Sequence, residues 1–313
     1  MGGHTATDSR LPPTPVPRYA RDDNVKIARN IEEVRAAVSA AREAGRTIGL
    51  VPTMGFLHEG HLSLIRVARE NGADFIVVSI FVNPLQFGPN EDFERYPRDE
   101  EADRRQLESQ RVDLLFLPSV EVMYPPGSTS RVSVTAVAEP LEGERRPGHF
   151  NGVATVVLKL FNIVQSDLAV FGRKDAQQCA VIDRMVRDLD VPVRLVFAET
   201  VREHDGLAMS SRNAYLSAEQ RSLAPALHRA LRAGEDAIRH GIDQIDEIER
   251  LMHRMVSDPV RIDYLAVVDP ITFRRPADFH RDLLLAGAVH IGKTRLIDNI
   301  RLSKSAIPHA HIQ

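Results

Sequence analysis

The most informative segment of the sequence is TIGLVPTMGFLHEGH, which spans residues 47–61. It opens with a short apolar run over 47–51, typical of a buried strand, and continues into a turn that contains Gly55 and Gly60. An amphipathic pattern over 62–70 then predicts a helix. A strand, a glycine-containing turn and a helix in this order predict the first unit of an α/β fold.

The segments on either side repeat this alternation. Asn30 and Glu33 predict the capped start of a helix that ends at Gly45. The sequence predicts strands at 47–51, 75–81, 114–117, 168–171 and 193–197, and further helices at 62–70, 100–110, 153–165 and 176–189. Short apolar runs between longer amphipathic segments favour a doubly wound parallel sheet with helices on both faces.

The two ends of the chain follow other patterns. Four prolines among small and polar residues predict a disordered tail over 1–23. The region beyond residue 201 is predicted to hold two long helices and then two strands, at 218–240, 242–256, 262–268 and 283–290. We therefore expect a main domain over 24–200 and a smaller α+β domain over 201–313.

Composition excludes several classes of protein. The 313 residues carry 40 basic and 43 acidic side chains, a net charge of −3, so a large cationic surface for nucleic acid is not expected. The single cysteine, Cys179, cannot form an internal disulfide or a cysteine-based zinc site, and its apolar neighbours indicate core packing. No apolar run approaches the roughly 20 residues that span a bilayer. We expect a cytoplasmic protein that binds neither nucleic acid nor membrane.

The segments of unusual composition follow predicted strands. They are 52–61, 83–87, 172–175 and 209–212. Because an open parallel sheet binds ligands outside the carboxyl ends of its strands, we expect these four segments to converge on one crevice.

The first of these segments has the features of an anion site. Gly60 and His61 lie where the helix at 62–70 is predicted to begin, so free backbone N–H groups and the positive end of the helix dipole face the crevice. His58 and His61 can donate hydrogen bonds to phosphate oxygens or carry a proton. The alternative is that one histidine caps the helix and the other lies at the surface. Zinc fits less well, because the histidines are three residues apart rather than four and no third ligand is evident.

Cations and amides follow the other strands. Lys174 and Arg212 are placed to neutralise phosphate, although either one alone is typical of a solvated side chain. Ser210 and Ser211 add hydroxyl donors beside Arg212. Two roles stay open for Asp175, namely to help hold a metal-bound phosphate or to help hold a partner helix.

Three neutral amides, Asn83, Gln86 and Gln178, are expected near the same crevice. Amides recognise hydroxyl and carboxylate groups without adding charge, so they suit a small polar second substrate. For Asn83, which precedes a proline, turn capping is the alternative.

These residues carry a resemblance to a known family. From about residue 25 to residue 301, the chain resembles the pantothenate synthetases, or pantoate–β-alanine ligases, of the nucleotidyltransferase superfamily. The resemblance implies a Rossmann-like core in the main domain. The segments that carry it are 52–61, 79–88, 96–98, 146–150, 174–175, 177–178, 205–213 and 294–299.

The resemblance also implies a reaction in two steps. The carboxylate of (R)-pantoate attacks the α-phosphorus of ATP to give pantoyl adenylate and pyrophosphate. The amine of β-alanine then attacks the acyl carbon, which gives pantothenate and AMP. ATP as a substrate, Mg²⁺ on its phosphates, no enzyme nucleophile and a homodimer formed through the main domain are implied as well.

The family further implies roles for individual residues. Catalytic roles fall on His58, His61, Lys174, Ser210, Ser211 and Arg212, with His61 as the proton donor. The implied ATP contacts are Met54, Gly55, Phe56, Leu57, His58, Glu59, Gly60, His61, Gly172, Arg173, Lys174, Asp175, Val201, Met209, Ser210, Ser211 and Arg212. The implied pantoate contacts are Gln86, Gln178 and Asn83, with Gln86 also next to β-alanine. Asp103 is implied near the metal or in the ordering of a flap.

Two positions depart from the usual family pattern. Arg173 replaces glutamate or glutamine, and Ala176 replaces an aromatic residue, so affinity and substrate preference are less determined than reaction type. Two other functions stay open. One is a nucleotidyltransferase that uses another small acid, and the other is a catalytically silent copy that binds nucleotide or pantoate as a regulatory partner.

Overall fold

The computed structural model describes residues 24–89 and 91–307. The tail predicted over 1–23 lies outside the described residues. Within them, the chain forms a six-stranded sheet followed by a three-stranded sheet. No helix in this described part has the length and apolar character needed to cross a membrane.

The six-stranded sheet is parallel throughout. Its strands are β1 (Lys26–Ala28), β2 (Ile48–Thr53), β3 (Phe75–Ile80), β4 (Leu114–Phe116), β5 (Leu168–Gly172) and β6 (Arg194–Ala198). Their order across the sheet is β1-β4-β3-β2-β5-β6. The chain therefore extends from β2 to one side and resumes at β5 on the other. Such a reversal opens a crevice at the carboxyl ends of β2 and β5.

Helices cover both faces of this sheet, as the alternation predicted. They are α1 (Ile31–Glu43), α2 (Glu59–Glu70), α3 (Glu100–Ser109), α4 (Val120–Met123), α5 (Glu142–Arg145), α6 (His149–Val164) and α7 (Ala176–Asp188). The helices α1, α6 and α7 pack in one apolar cluster, which includes Val34 and Ile182. On the other face, Ile65 of α2 and Leu107 of α3 join a second cluster. Cys179 is buried in the first cluster, so its predicted place in the core is confirmed.

The later part of the chain is α+β, as predicted, but two details differ. Its elements are α8 (Ala218–Leu223), α9 (Ala226–Arg239), α10 (Ile245–Arg254), β7 (Arg261–Val268), β8 (Leu283–Ile291) and β9 (Thr294–Leu302). The prediction of a single helix over 218–240 is wrong. The helix is interrupted between α8 and α9 at Pro225, which lacks the N–H that a continuous helix requires.

The antiparallel sheet has the order β7-β8-β9, so it contains one strand more than the sequence predicted. The buried positions that alternate along the start of β9 are Thr294, Leu296 and Asp298, so two of the three are polar or charged, and Arg295 lies half-buried between them. Ion pairs therefore replace part of the apolar alternation that would have revealed the strand. The domain boundary at residue 201 stays a prediction.

Candidate active site

A cavity of about 220 Å³ lies at the carboxyl ends of β2 and β5. All four segments singled out in the sequence reach it, which confirms the predicted convergence. The predicted site residues that line it are Met54, His58, Gly60, His61, Asn83, Gln86, Gly172, Lys174, Asp175, Gln178, Val201, Met209, Ser210, Ser211 and Arg212. The predicted residues that do not line it are Gly55, Phe56, Leu57, Glu59, Asp103 and Arg173.

The loop between β2 and α2 presents the paired histidines. The helix α2 begins at Glu59, three residues earlier than predicted, which places His61 in its first turn. His58 is the N-cap residue, and its Nδ1 accepts a hydrogen bond from the backbone N–H of Gly60 at 3.1 Å. Helix capping, the simpler interpretation of one histidine, is therefore correct for His58, yet the same side chain also lines the cavity.

The hydrogen bonds of the pair fix its tautomers. His61 accepts the backbone N–H of His58 at Nδ1, at 3.3 Å, and the two ring centroids are 4.0 Å apart. An Nδ1 that accepts a hydrogen bond carries no proton, so the neutral form of each ring has its proton on Nε2. Each imidazole therefore keeps an Nε2–H donor for a ligand.

Burial and neighbouring charge keep both rings neutral. Burial, with the nearby Lys174 ammonium, lowers the pKa of His58 to about 4. Burial first, and then repulsion from a protonated His58 and from the Lys174 ammonium, hold the pKa of His61 well below its ordinary value. At neutral pH both rings are therefore neutral and each has an Nε2–H that can donate a hydrogen bond.

These pKa shifts predict a pH dependence of stability. The His58 resonances should titrate near pH 4 instead of near 6.5, with the proton of the neutral ring on Nε2. Between these values the unfolded chain binds a proton that folded His58 does not, so the free energy of unfolding should fall as pH drops through this interval. Long-range proton–nitrogen NMR spectra and denaturant unfolding at several pH values measure both effects. A neutral ring protonated at Nδ1, or titration of His58 at its ordinary value, would contradict the assignment.

The backbone before the histidines is held by Asp103. Gly55 and Phe56 have positive φ angles of 84° and 50°, a conformation that favours glycine. Asp103, which is almost fully buried, accepts the backbone N–H of Phe56 at 2.8 Å and that of Leu57 at 2.6 Å. Both carboxylate oxygens thus hold the histidine loop in place, which fits the ordering role better than the metal role implied by the family resemblance.

The two predicted cations reach the cavity from different turns. Lys174 lies on a 3-10 turn, Arg173–Asp175, directly after β5. Arg212 lies on a second 3-10 turn, Ser211–Tyr215, and makes two bonds of 2.9 Å to the Asp92 carboxylate. Ser211 Oγ donates to the Phe56 carbonyl at 3.1 Å, which ties the second turn to the histidine loop.

Arg173 is directed to other partners. Its Nε lies 3.1 Å from the Glu199 carboxylate, and its guanidinium lies 5.7 Å from the centroid of the Phe197 ring. The ATP contact that the family resemblance implies for Arg173 therefore finds no support in its placement, since Arg173 does not line the cavity.

Two of the three amides, Asn83 and Gln86, follow β3, on the opposite side of β2 from the Lys174 turn, whereas Gln178 lies on α7 directly after that turn. Asn83 donates to Gln86 Oε1 at 3.0 Å and to the Gly152 carbonyl at 3.1 Å. Its Oδ1 accepts the backbone N–H of Leu85 at 3.3 Å, so the turn-capping alternative is correct for Asn83. Gln86 Nε2 donates to Met54 Sδ at 3.3 Å. Because a thioether is a weak acceptor, Gln86 is the amide better able to exchange its partner for a ligand.

Several lining residues were given no role by the sequence. Arg146 pairs with both oxygens of Glu91, and His149 contacts the Gln86 carbonyl through Nδ1 at 2.8 Å. Burial, with the nearby Arg146 charge, lowers the pKa of His149 to about 4. The signal was present, since 146–150 was among the segments of the resemblance. The remaining lining residues without a predicted role include Tyr96, Glu199, Thr200 and an apolar wall of Phe81, Val153, Val156, Val157, Leu160 and Phe171.

The parallel sheet reverses its strand order, and paired imidazoles and cations lie at the carboxyl ends of its strands. These features define a class of proteins, the doubly wound α/β enzymes that bind an anionic ligand where the strand order reverses. A family model described as pantoate-beta-alanine ligase matches residues 26–301, and the chain belongs to that family.

Named relatives and solved structures agree with this placement. A pantothenate synthetase of Moorella thermoacetica is 53% identical over 280 residues, which cover 89% of this chain and 99% of the relative. A pantothenate synthetase structure from Thermus thermophilus superposes with a TM-score of 0.85 at 47% identity, over 91% of this chain and 100% of that one. The pantoate-beta-alanine ligase of Francisella tularensis, complexed with beta-gamma ATP and beta-alanine, superposes with a TM-score of 0.73 at 34% identity, over 90% of this chain and 98% of that one.

Proposed function

We propose that this protein condenses (R)-pantoate with β-alanine at the expense of ATP, through an enzyme-bound pantoyl adenylate. The observation that carries the proposal is the convergence of two neutral imidazoles and two cations, His58, His61, Lys174 and Arg212, on one cavity that also holds the amide of Gln86. Membership of the ligase family supports the same reaction.

In the first step, the pantoate carboxylate attacks the α-phosphorus and the bond to pyrophosphate breaks. Displacement at phosphorus depends chiefly on positioning and on stabilisation of charge on the phosphate oxygens. His58 and His61 supply Nε2–H donors for these oxygens, and Lys174 and Arg212 supply positive charge. Arg212 is already paired with Asp92, so the triphosphate either shares or displaces that carboxylate.

In the second step, the neutral amine of β-alanine attacks the acyl carbon of the adenylate. The new carbon–nitrogen bond replaces the bond to AMP, which leaves, and the proton that the amine loses passes to solvent. The enzyme contributes no nucleophile to either step. Its contribution is to hold the adenylate away from water, because hydrolysis would return pantoate and AMP.

Pantoate is proposed to lie between the amides and the apolar wall. Its geminal methyl groups suit side chains such as Val153 and Val157, and its hydroxyl and carboxylate groups suit Gln86 and Gln178. Gln86 is also next to the proposed β-alanine position. Asn83 contributes indirectly, because its hydrogen bond orients the Gln86 side chain.

A magnesium ion on the ATP phosphates is part of this proposal, but the described side chains form no ready site for it. Both Asp103 oxygens are used by the histidine loop, and residues 24–89 and 91–307 contain no cluster of three or more His, Cys, Asp or Glu side chains that could hold a metal. Magnesium in nucleotide-dependent enzymes is often held largely by phosphate oxygens and water, so we assign it no protein ligand. A homodimer is proposed on the family resemblance, and a cytoplasmic location on the composition of the chain, which has a single cysteine.

The proposal is tested by incubating the protein with ATP, magnesium, (R)-pantoate and β-alanine and detecting products by mass. We expect pantothenate, AMP and pyrophosphate in equal amounts. Without β-alanine, about one equivalent of pyrophosphate per active site should form and pantoyl adenylate should stay bound. Faster pyrophosphate release with another small acid would favour the broader nucleotidyltransferase function. Nucleotide binding without turnover would favour the silent copy.

A further inference from the structure

The turn that carries Lys174 has no capping bond from its own side chains. Gly172, which precedes the turn, has no side chain to offer, and Asp175, the N-cap of α7, makes no side-chain capping bond. A cation used to position a phosphate needs a fixed backbone, since its own side chain is long and flexible. The restraint on this turn therefore has to come from another part of the chain.

Asn299 of β9 supplies such a restraint. Its Nδ2 donates to the carbonyl of Arg173 at 2.9 Å and to the carbonyl of Lys174 at 2.8 Å. A primary amide has two N–H groups, and here each has its own acceptor on consecutive residues. A carboxylate in the same place would face both carbonyls without a proton to donate.

The strand that holds Asn299 is itself firmly placed. Asn299 lies opposite Ala286 of the central strand β8, on β9 at the edge of the antiparallel sheet. The preceding residue, Asp298, is 5% exposed and binds Arg202 through both oxygens, at 2.6 and 3.0 Å. The Asn299 amide thus projects from an edge strand that is held by β8 on one side and by Arg202, which donates to the Asn299 carbonyl at 3.3 Å, as a precise support requires.

The consequence of this contact falls on the cavity. Lys174 lines the cavity with a side chain that is 21% exposed. Its charge is among the causes that lower the pKa of both His58 and His61, so the ammonium acts on the imidazole pair. A displaced turn would carry this charge away from the place where the phosphates are proposed to bind.

We propose that Asn299 is a positioning residue for adenylate formation, which fixes the backbone of Lys174 so that its ammonium faces the phosphates of ATP. The inference rests on the proposed function. The family resemblance singled out the segment 294–299 without assigning it a role. The proposal gives this segment a function in the active site, which lies on the six-stranded sheet. Asn299 acts through Lys174 and does not itself line the cavity at the ends of β2 and β5.

The test measures pantoate-dependent pyrophosphate release in Asn299→Ala, Asn299→Asp, Lys174→Ala and the double variant Asn299→Ala/Lys174→Ala. Because sub-ångström displacement of a positioned group costs considerable rate, we expect Asn299→Ala to lower kcat/KM for ATP about tenfold and Asn299→Asp to lower it further. In the Lys174→Ala background, loss of Asn299 should change kcat/KM by less than about threefold. The reason is that the effects of substitutions at residues that act as a unit do not add. The pKa of His58 should rise in Asn299→Ala and in Lys174→Ala, because the Lys174 charge that lowers it is displaced or removed.

Arg301→Ala is the matched control, because Arg301 lies two residues further along β9, pairs with Asp282 and does not line the cavity at the ends of β2 and β5. It should match the unchanged protein in activity, and thermal unfolding of every variant checks folding. Additive losses in the double variant, or an equal loss in Arg301→Ala, would overturn the inference. If Lys174→Ala impaired ATP kinetics and Asn299→Ala did not, the inference alone would fail. If Lys174→Ala left ATP kinetics unchanged, both the inference and the proposed role of Lys174 would fail.

Discussion

Replacement of His61 by alanine is expected to lower the rate of adenylate formation by about 10²- to 10³-fold, the usual cost of removing a preorganised donor to an oxyanion. The Nε2–H of the neutral ring is lost, and with it a hydrogen bond that strengthens as negative charge builds on the phosphate oxygens. The affinity for ATP should change by less than about threefold, because the cations that neutralise the triphosphate remain. Single-turnover pyrophosphate release and equilibrium binding of a non-hydrolysable ATP analogue measure the two effects separately.

The control for this experiment is His253→Ala, which removes an exposed imidazole from α10, far along the chain from the histidine loop. It should leave both measurements unchanged. Equal losses of rate and ATP affinity in His61→Ala would show that the ring serves ground-state binding, and its assigned role would then be wrong. His61→Gln, which retains an N–H donor without the imidazole, should recover part of the rate.

Replacement of Gly152 by alanine is expected to damage both the pantoate site and the fold. Gly152 lies in the first turn of α6, and an added Cβ would overlap the Leu85 carbonyl oxygen and meet the Gln86 nitrogen at 2.6 Å. Helix propensity alone would favour alanine by about 1 kcal/mol. The clash is with backbone, which cannot rotate away, so we expect a net loss of about 1–3 kcal/mol in the free energy of unfolding.

The functional part of this prediction concerns Gln86. Displacement of residues 84–86 would move the Gln86 amide and break the hydrogen bond from Asn83 to the Gly152 carbonyl. We expect KM for pantoate to rise by about tenfold to a hundredfold while KM for ATP changes little. Gly88→Ala is the matched control, since its Cβ would meet only ordinary contacts of 3.7 Å or more. Unchanged pantoate kinetics and unfolding in Gly152→Ala would contradict the close approach of α6 to this turn.

The structure also explains why few of the described side chains that line the cavity carry an unpaired charge. Arg212 is paired with Asp92, Arg146 with Glu91, and both histidines are held neutral. Such pairing avoids the cost of burying an unpartnered ion. An anionic ligand can then bind an arginine by replacing its carboxylate partner. We therefore expect binding of the triphosphate to depend on rearranged ion pairs as well as on preformed donors.

Local patterns in the sequence were enough to predict the parallel sheet, its covering helices and the segments that form the cavity. Five of its six strands were predicted, because buried parallel strands are continuous apolar runs that need no distant partner to be recognised. The convergence of four segments followed from one topological rule about the carboxyl ends of strands. The family followed from the motifs in those segments.

The sequence by itself thus determined the fold class, the family and the residue types that line the cavity, since each depends on local patterns. Only the tertiary structure decided how those residues are held: Asp103 on the backbone of the histidine loop, Arg173 turned towards Glu199, and the pairing of Asp92 with Arg212. It also placed the Asn299 amide on the Lys174 turn, 125 residues away in the chain. The physical reason is that hydrogen bonds, burial and pKa shifts depend on distances between atoms, and residues remote in sequence become neighbours only when the two sheets pack together.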